Sequence, residues 1–410
     1  MAILRGHKLV EKCKIGPSMR STSSVPLSFL DLPLAGPIYV RRQFFYHFAH
    51  STLHFCEATL PSLKTSLSQT LQLFFPLAGN LLCPPPPYKP FIRCTDDDSV
   101  PFTIIESKAD FDHLSSNHPK SLKDLEHLVP KLACTNTHDD TFVFPLLALQ
   151  ATVFPNRGLC ISITYCHVMD DSCCSNFMKS WASFCRSGGV DLTLAEKSAP
   201  CMDRGVLKDP KGLEAIFLRD YFEERSTWKE KLAGKTSEVC NAEDYVKATI
   251  VFGRDDIERL RRVVLKQWKR SEELKTYFGN CLTLCFAMVK RKELKGEGGF
   301  VNAVKVMRRA VSDMKSDLFK DAANWRETFT RMFALGSTLI VTGSPKFTVY
   351  ETDFGFGKPK KVEMVHSMKG MSLAESGEKE GELEVGLVCK NTEFEYLLSV
   401  IKQELQLSKS

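Results

Sequence analysis

The chain has 410 residues, 43% hydrophobic and 25% charged, with a formal net charge of +6. That is the balance of an ordinary globular protein, long enough for two or three domains or two large halves. The densest basic runs, "RLRRVVLKQWKR" and "KPKK" at 358–361, lack the aromatic interleaving of a nucleic-acid platform, so they read as solvated faces and no nucleic-acid partner is expected. A mildly positive surface still suits a polyanionic small ligand. The 15 cysteines are odd in number and show no framework spacing, "MAILRGHKLVEKCKIGPS" has no apolar core of a signal peptide, and no apolar run reaches membrane-span length. Together these features predict free thiols, a cytoplasmic location and no membrane partner.

In chain order, the first clear element is "SLKTSLSQTLQLF" at 62–74, a helix with Leu63, Leu67, Leu71 and Phe74 on one face. Pro61 suits its first turn and Pro76 stops it. Four prolines at 84–87 predict a stiff exposed turn. Segments 142–154 and 159–167 read as strands, and a helix over 172–186 follows with Phe177, Trp181, Phe184 and Cys185 inward. Residues 187–215 have breakers and no period, and predict a crossover between an N-terminal half (1–186) and a C-terminal half (216–410). The second half opens on a strand at 246–252. Asp255 and Glu258 then have capping-box spacing for a helix with Ile257, Leu260, Val264 and Trp268 inward. Strand-like runs recur at 280–289, 337–342, 346–350, 361–366 and 383–389, with a helix over 300–320 among them. Alternation of strands and helices in both halves predicts an α/β fold.

Three stretches carry possible chemistry. In "ISITYCHVMDDSCC", Ile161, Ile163, Tyr165 and His167 share one face of a strand that ends at His167, where a site can form. A structural histidine is the plainer reading. Asp171 falls where the next helix begins and suits its dipole, although Asp170 or Ser172 would cap it equally well. A Cys166 nucleophile is disfavoured because adjacent strand residues point to opposite faces. A metal set drawn from Cys166, His167, Asp171, Cys173 and Cys174 matches no common zinc spacing, so no metal is expected. The second stretch, "DFGFG" at 353–357, places two glycines in a turn between strands. The third, "YFGNC" at 277–281, alone says little beyond a turn entering a strand.

Taken together, these pieces resemble the BAHD acyltransferases, the plant CoA-dependent O- and N-acyltransferases. "HVMDD" matches the family's His-x-x-x-Asp motif, and "DFGFG" its Asp-Phe-Gly-Trp-Gly motif with Phe356 for tryptophan. "YFGNC", "PLSFLDLPLAG", "FFPLAGNL" and "FPNRGLCISITYCH" look like the branch that acylates flavonoid and anthocyanin glycosides, often with malonyl-CoA. The resemblance implies two chloramphenicol-acetyltransferase-like α/β domains with a substrate channel between them and His167 at its middle. It implies acyl-CoA, with malonyl as the donor and hydroxycinnamoyl as the alternative, a phenolic glycoside acceptor, no bound cofactor and a monomer. His167 would be the general base, Asp171 the support of its loop through an arginine pair, and Asp353 either support or a second proton acceptor. Phe354, Gly355, Phe356 and Gly357 would shape the CoA channel.

Ser172 stands where the family has glycine, and Leu274 is followed almost at once by Tyr277. The family carries several tens of residues there, including a core helix, a strand and the arginine partner of Asp171. Two readings therefore stand: an active transferase, or a truncated, inactive relative.

Overall fold

The computed structural model describes residues 6–19, 22–169, 171–189, 199–232, 244–257, 276–295, 298–336, 338–365 and 369–407, with the backbone alone for Asp171 and 402–407. The fold rests on two mixed sheets. In chain order their strands are β1 (His7–Ile15), β2 (Tyr39–His47), β3 (Val100–Ser107), β4 (Lys120–Ser121), β5 (Leu147–Phe154), β6 (Gly158–Cys166), β7 (Tyr245–Phe252), β8 (Ile340–Gly343), β9 (Lys361–Met364), β10 (Gly370–Glu375) and β11 (Leu383–Lys390). One sheet has the order β1-β3-β5-β6-β2-β9 and the other β8-β10-β11-β7-β4. A smaller five-stranded sheet takes Ser23–Pro26, Phe91–Cys94, Asn80–Cys83, Phe142–Pro145 and Thr135–Asn136.

β5 and β6 are buried along their whole length, as their unbroken apolar runs require. Helices α1 (Leu60–Leu73) and α2 (Asp171–Ser187) pack together and join the core on β5 and β6, with Leu63, Leu67, Leu71, Phe177 and Trp181 completely buried. The Trp181 indole N–H donates to the Leu63 carbonyl at 3.0 Å, so even the polar atom of this seam is satisfied. Burying each such Leu or Phe contributes about 2 kcal/mol relative to leaving it in water. Helix α3 (Leu213–Arg225) begins inside the 187–215 segment expected as a crossover; its Phe217 stacks on Phe29 and its Tyr221 is set edge-on to Trp228.

Strand pairing joins distant parts of the chain: β9, late in the chain, pairs with β2, and β4, early in the chain, pairs with β7. Buried charges follow that pairing. Glu363 on β9 meets Lys120 on β4 at 2.9 Å and Lys247 on β7 at 3.7 Å, and all three side chains are shut from solvent. Lys361 pairs with Glu384 on β11 at 2.6 Å, and the Tyr350 hydroxyl donates to the same carboxylate. A cavity of about 30 Å³ lies beside these groups, lined in part by Arg42, Thr249, Glu363, Ser372 and Glu384.

The structure corrects several expectations. Residues 280–289, read as a strand, have no regular structure. An alternating pattern becomes a strand only where a sheet edge buries one face, and here Leu282, Leu284 and Met288 stay exposed. Residues 346–350 form two short 3-10 turns, because Pro345 opens the first and Thr348 sits at φ 45° between them. The segment at 142–154 is two strands belonging to different sheets, broken at Leu146. The expected helix after Asp255 is described only over 254–257, where the Asp256 carboxylate accepts the Gly253 N–H at 3.2 Å. Glu258, Leu260, Val264 and Trp268 lie outside the described residues. The helix expected over 300–320 is α4 (Gly299–Ser316), followed by α5 (Trp325–Ala334) and, at the end, α6 (Asn391–Leu407).

Candidate active site

His167 is the first residue beyond β6, whose last residue Cys166 pairs with Tyr39 on β2. Its N–H donates to the Ile38 carbonyl at 2.9 Å. The imidazole is half-buried, and its Nδ1 is enclosed without a hydrogen-bond partner among the described residues. Cys166 points elsewhere: its thiol contacts the Gly36 carbonyl at 3.6 Å, and burial pushes its pKa up to about 11. A thiol so held is protonated near neutral pH, which removes it as a nucleophile. Among the described residues no three His, Cys, Asp or Glu side chains gather as a metal set, and every described cysteine is free. The backbone of Asp171 opens α2, and its side chain lies outside the described residues.

The "YFGNC" stretch, which says little in sequence, stands directly behind His167. The Asn280 side-chain NH2 donates to the His167 carbonyl at 2.8 Å and to Asp31 Oδ1 at 3.1 Å. The Asn280 main-chain N–H donates to the same Asp31 oxygen at 2.7 Å. Asp31 and Asn280 are both completely buried. The second oxygen of Asp31 accepts the Ser28 N–H and hydroxyl, each at 2.8 Å, and faces the Arg204 guanidinium at 3.9 Å. Arg204 in turn donates to the Tyr277 hydroxyl at 2.9 Å and to the Phe278 and Pro26 carbonyls. Burial, then the negative Asp31 nearby, raises the Tyr277 phenol pKa, so it stays protonated. Gly279 turns this stretch at φ 137°, and a Cβ there would lie 2.3 Å from the Arg204 guanidinium. Sequence reasoning passed over Asp31 and Arg204. The signal available was a buried-type aspartate inside the apolar run "SFLDLPL".

The "DFGFG" turn lies elsewhere. Asp353 Oδ1 accepts the Gly355 and Gly357 N–H groups at 2.8 and 3.0 Å, and Oδ2 faces Arg186 on α2 at 3.5 Å. Gly355 and Gly357 sit at φ 104° and 90°, the left-handed region that such a wrapped turn demands. Phe354 packs edge-on to Trp181 at 4.8 Å, and Phe356 edge-on to Tyr46 at 5.3 Å. Tyr46 pairs with Leu159, whereas Tyr39 pairs with Cys166. The turn is therefore at the opposite end of the β2–β6 pair from His167, about 23 Å along the strands. The structure brings His167 together with Asn280 and Asp31, and not with Asp353.

The geometry can be set beside known proteins. A family model described as the Transferase family matches residues 8–273 and 265–403. A coumaroyl-CoA:anthocyanidin 3-O-glucoside-6''-O-coumaroyltransferase of Arabidopsis thaliana is 31% identical, covering 99% of each chain. A malonyl-coenzyme A:anthocyanin 3-O-glucoside-6''-O-malonyltransferase of Dahlia pinnata is 31% identical over 95% of each chain. A phenolic glucoside malonyltransferase of Nicotiana tabacum is 31% identical over 87% of this chain and 89% of its own length. Among solved structures, vinorine synthase shares the fold with a TM-score of 0.63 at 19% identity, covering 95% of this chain and 96% of that one. The alignment to the Arabidopsis relative spans 471 positions, more than the 410 residues of this chain, so relative residues stand opposite gaps here. The two pieces of the family match meet at 265–273, just ahead of Tyr277. With both halves matched in order and relatives aligned almost end to end, the chain belongs to the BAHD family of acyl-CoA-dependent acyltransferases.

Proposed function

We propose that the chain transfers a malonyl group from malonyl-CoA to a sugar hydroxyl of an anthocyanin or another phenolic glycoside, with His167 as general base. The observation that carries this reading is the imidazole at the end of β6, in a chain whose near-full-length relatives are glucoside acyltransferases. With Nδ1 enclosed, Nε2 is the nitrogen left to meet a hydroxyl. A sugar hydroxyl is a poor nucleophile, and a neutral imidazole takes its proton as the oxygen attacks the thioester carbonyl. The new C–O bond forms, the C–S bond breaks, and the proton passes from imidazole to the departing CoA thiolate. No covalent enzyme intermediate, metal or bound cofactor is needed, because the thiolate is a good leaving group and acyl-CoA is a co-substrate. Fixing both substrates supplies the remaining gain through proximity.

In this reading Asp171 and Asp353 are supports. Both Asp353 oxygens are engaged within its own turn and with Arg186, far from His167. Phe354, Gly355, Phe356 and Gly357 shape the far wall on the CoA side. Coumaroyl-CoA is the second reading, favoured by the Arabidopsis coumaroyltransferase aligned at the same 31% identity. The test is free-thiol release with malonyl-CoA and with coumaroyl-CoA against cyanidin 3-glucoside and a simple phenolic glucoside, with products weighed by mass spectrometry. Malonyl ester formation at the higher kcat/KM supports the proposal. A coumaroyl preference overturns the donor, and no turnover with either donor makes the chain an inactive relative.

A further inference from the structure

We infer that Asn280, held by Asp31, is the positioning residue of His167; this rests on the reading of His167 as the base. The direction of a side chain from its backbone is set by the peptide planes before and after its Cα. For His167 the preceding plane is fixed by its N–H on the Ile38 carbonyl at 2.9 Å. The following plane is fixed by its carbonyl, which accepts the Asn280 side-chain NH2 at 2.8 Å. Both bonds come from segments outside β6, so they persist where the strand ladder has ended. With φ and ψ so restrained, only the two side-chain torsions of the imidazole stay free.

The Asn280 amide is held through its nitrogen. Its terminal nitrogen faces two acceptors, the His167 carbonyl and Asp31 Oδ1, which assigns it as NH2 rather than oxygen. Its main-chain N–H is tied to the same Asp31 oxygen, so side chain and backbone are clamped by one carboxylate. Asp31 is completely buried and holds that place through Ser28 and Arg204. A buried carboxylate is costly unless its lone pairs are filled. Here Ser28 and Asn280 supply two donors each, and Arg204 supplies the opposite charge. The links from Asn280 to Asp31 and to the His167 carbonyl are 2.7–3.1 Å long, so a displacement of Asn280 is passed to the His167 backbone rather than absorbed. Asp31, His167 and Asn280 come from three distant parts of the chain, with 249 and 113 residues separating Asn280 from the other two. The second half thereby aims the base of the first, without the arginine expected from the residues this chain lacks.

The experiment pairs kinetics with a spectroscopic readout that needs no turnover. Asn280→Leu keeps the volume and removes the amide. It is expected to lower kcat by about 10²-fold, as a displacement near 1 Å does, with both KM values within about twofold. In protein labelled on its 10 histidine rings, the His167 signal is assigned by its loss in His167→Ala. Asn280→Leu is expected to move or broaden that signal while the other histidine signals stay. On the His167→Ala background, Asn280→Leu is expected to cost no further activity, because it acts through the imidazole. An unmoved His167 signal, or an equal loss on both backgrounds, overturns the positioning role. If Asn280→Leu does not accumulate as folded protein, Asn280→Ser is read by the same signal. Unchanged turnover in His167→Ala instead removes the base itself, a result distinct from any of these.

Discussion

Glu363→Gln tests the buried charges that join β9 to β4 and β7. The carboxylate lies 2.9 Å from Lys120 and 3.7 Å from Lys247. At an effective dielectric of about 20, two such pairs amount to roughly 6 and 4 kcal/mol before desolvation. Releasing the carboxylate from its own burial returns several kcal/mol, so the expected net loss is about 3–5 kcal/mol, the usual result of stranding a buried charge. The sign with pH follows from the two shifts. Burial acts to raise Glu363, and the lysines Lys120, Lys361 and Lys247 outweigh it, leaving the pKa at about 2 against an ordinary 4.5. A depressed acid stabilises above its unfolded value, and that stabilisation is lost as pH falls from 4.5 toward 2. Burial lowers Lys247 to about 8 from 10.5, against the opposing pull of Glu363. Its charged form is thus a cost below pH 8, relieved as pH rises through 8 toward 10.5. The gap between wild type and variant should be widest from about pH 5 to 8. It should narrow in acid, where Glu363 protonates, and in base, where Lys247 is neutral. Urea unfolding at several pH values measures it. A loss under about 1 kcal/mol, or a gap independent of pH, would refute the reasoning.

His167→Ala should lower turnover by about 10²–10⁴-fold in a folded variant, measured by thiol release; unchanged turnover removes the base assignment. Exhaustive chelation should leave turnover unchanged, and a loss restored by one metal would revive the cluster around Cys166 and Cys173. Phe354→Ala deletes a ring packed on Trp181 and Tyr46 and should destabilise by about 3–5 kcal/mol in urea, since a large buried side chain leaves a cavity. Inserting the relatives' extra residues between Leu274 and Tyr277 should raise soluble yield, thermal midpoint and malonyl transfer together. Equal values in both forms would show that the second half closes without them.

Much of the frame is legible because its signals are local. β5 and β6 are uninterrupted apolar runs, and α1 carries Leu63, Leu67 and Leu71 at helical spacing, so burial could be read from period alone. The glycines of "DFGFG" likewise announced a turn needing positive φ. The anchor of His167 was not legible, because Asp31 and Asn280 stand 249 residues apart and each looks unremarkable among its neighbours. The run at 280–289 misled for the converse reason. Its pattern is that of a strand, but a strand is completed by a partner edge, and pattern alone does not supply one.

The same stretch shows where the missing residues tell. Exposed large apolar side chains crowd the second half after the break in the family match: Leu282, Leu284, Met288, Phe300, Met307, Phe333, Leu335 and Val341 among them. Among the described residues β8, which carries Val341, is also the outermost strand of its sheet, paired on one side only with β10. An open edge and exposed apolar faces together favour association. The network behind His167 draws on Asp31, Arg204 and Asn280, all of which lie outside that break, with Asn280 hydrogen-bonded to Asp31 and Arg204 facing Asp31 at 3.9 Å. The absence of the relatives' extra residues should therefore act on activity chiefly through the population of folded, dispersed molecules, and only weakly through the geometry around His167. Specific activity per folded molecule, obtained by active-site titration alongside total yield, separates the two effects.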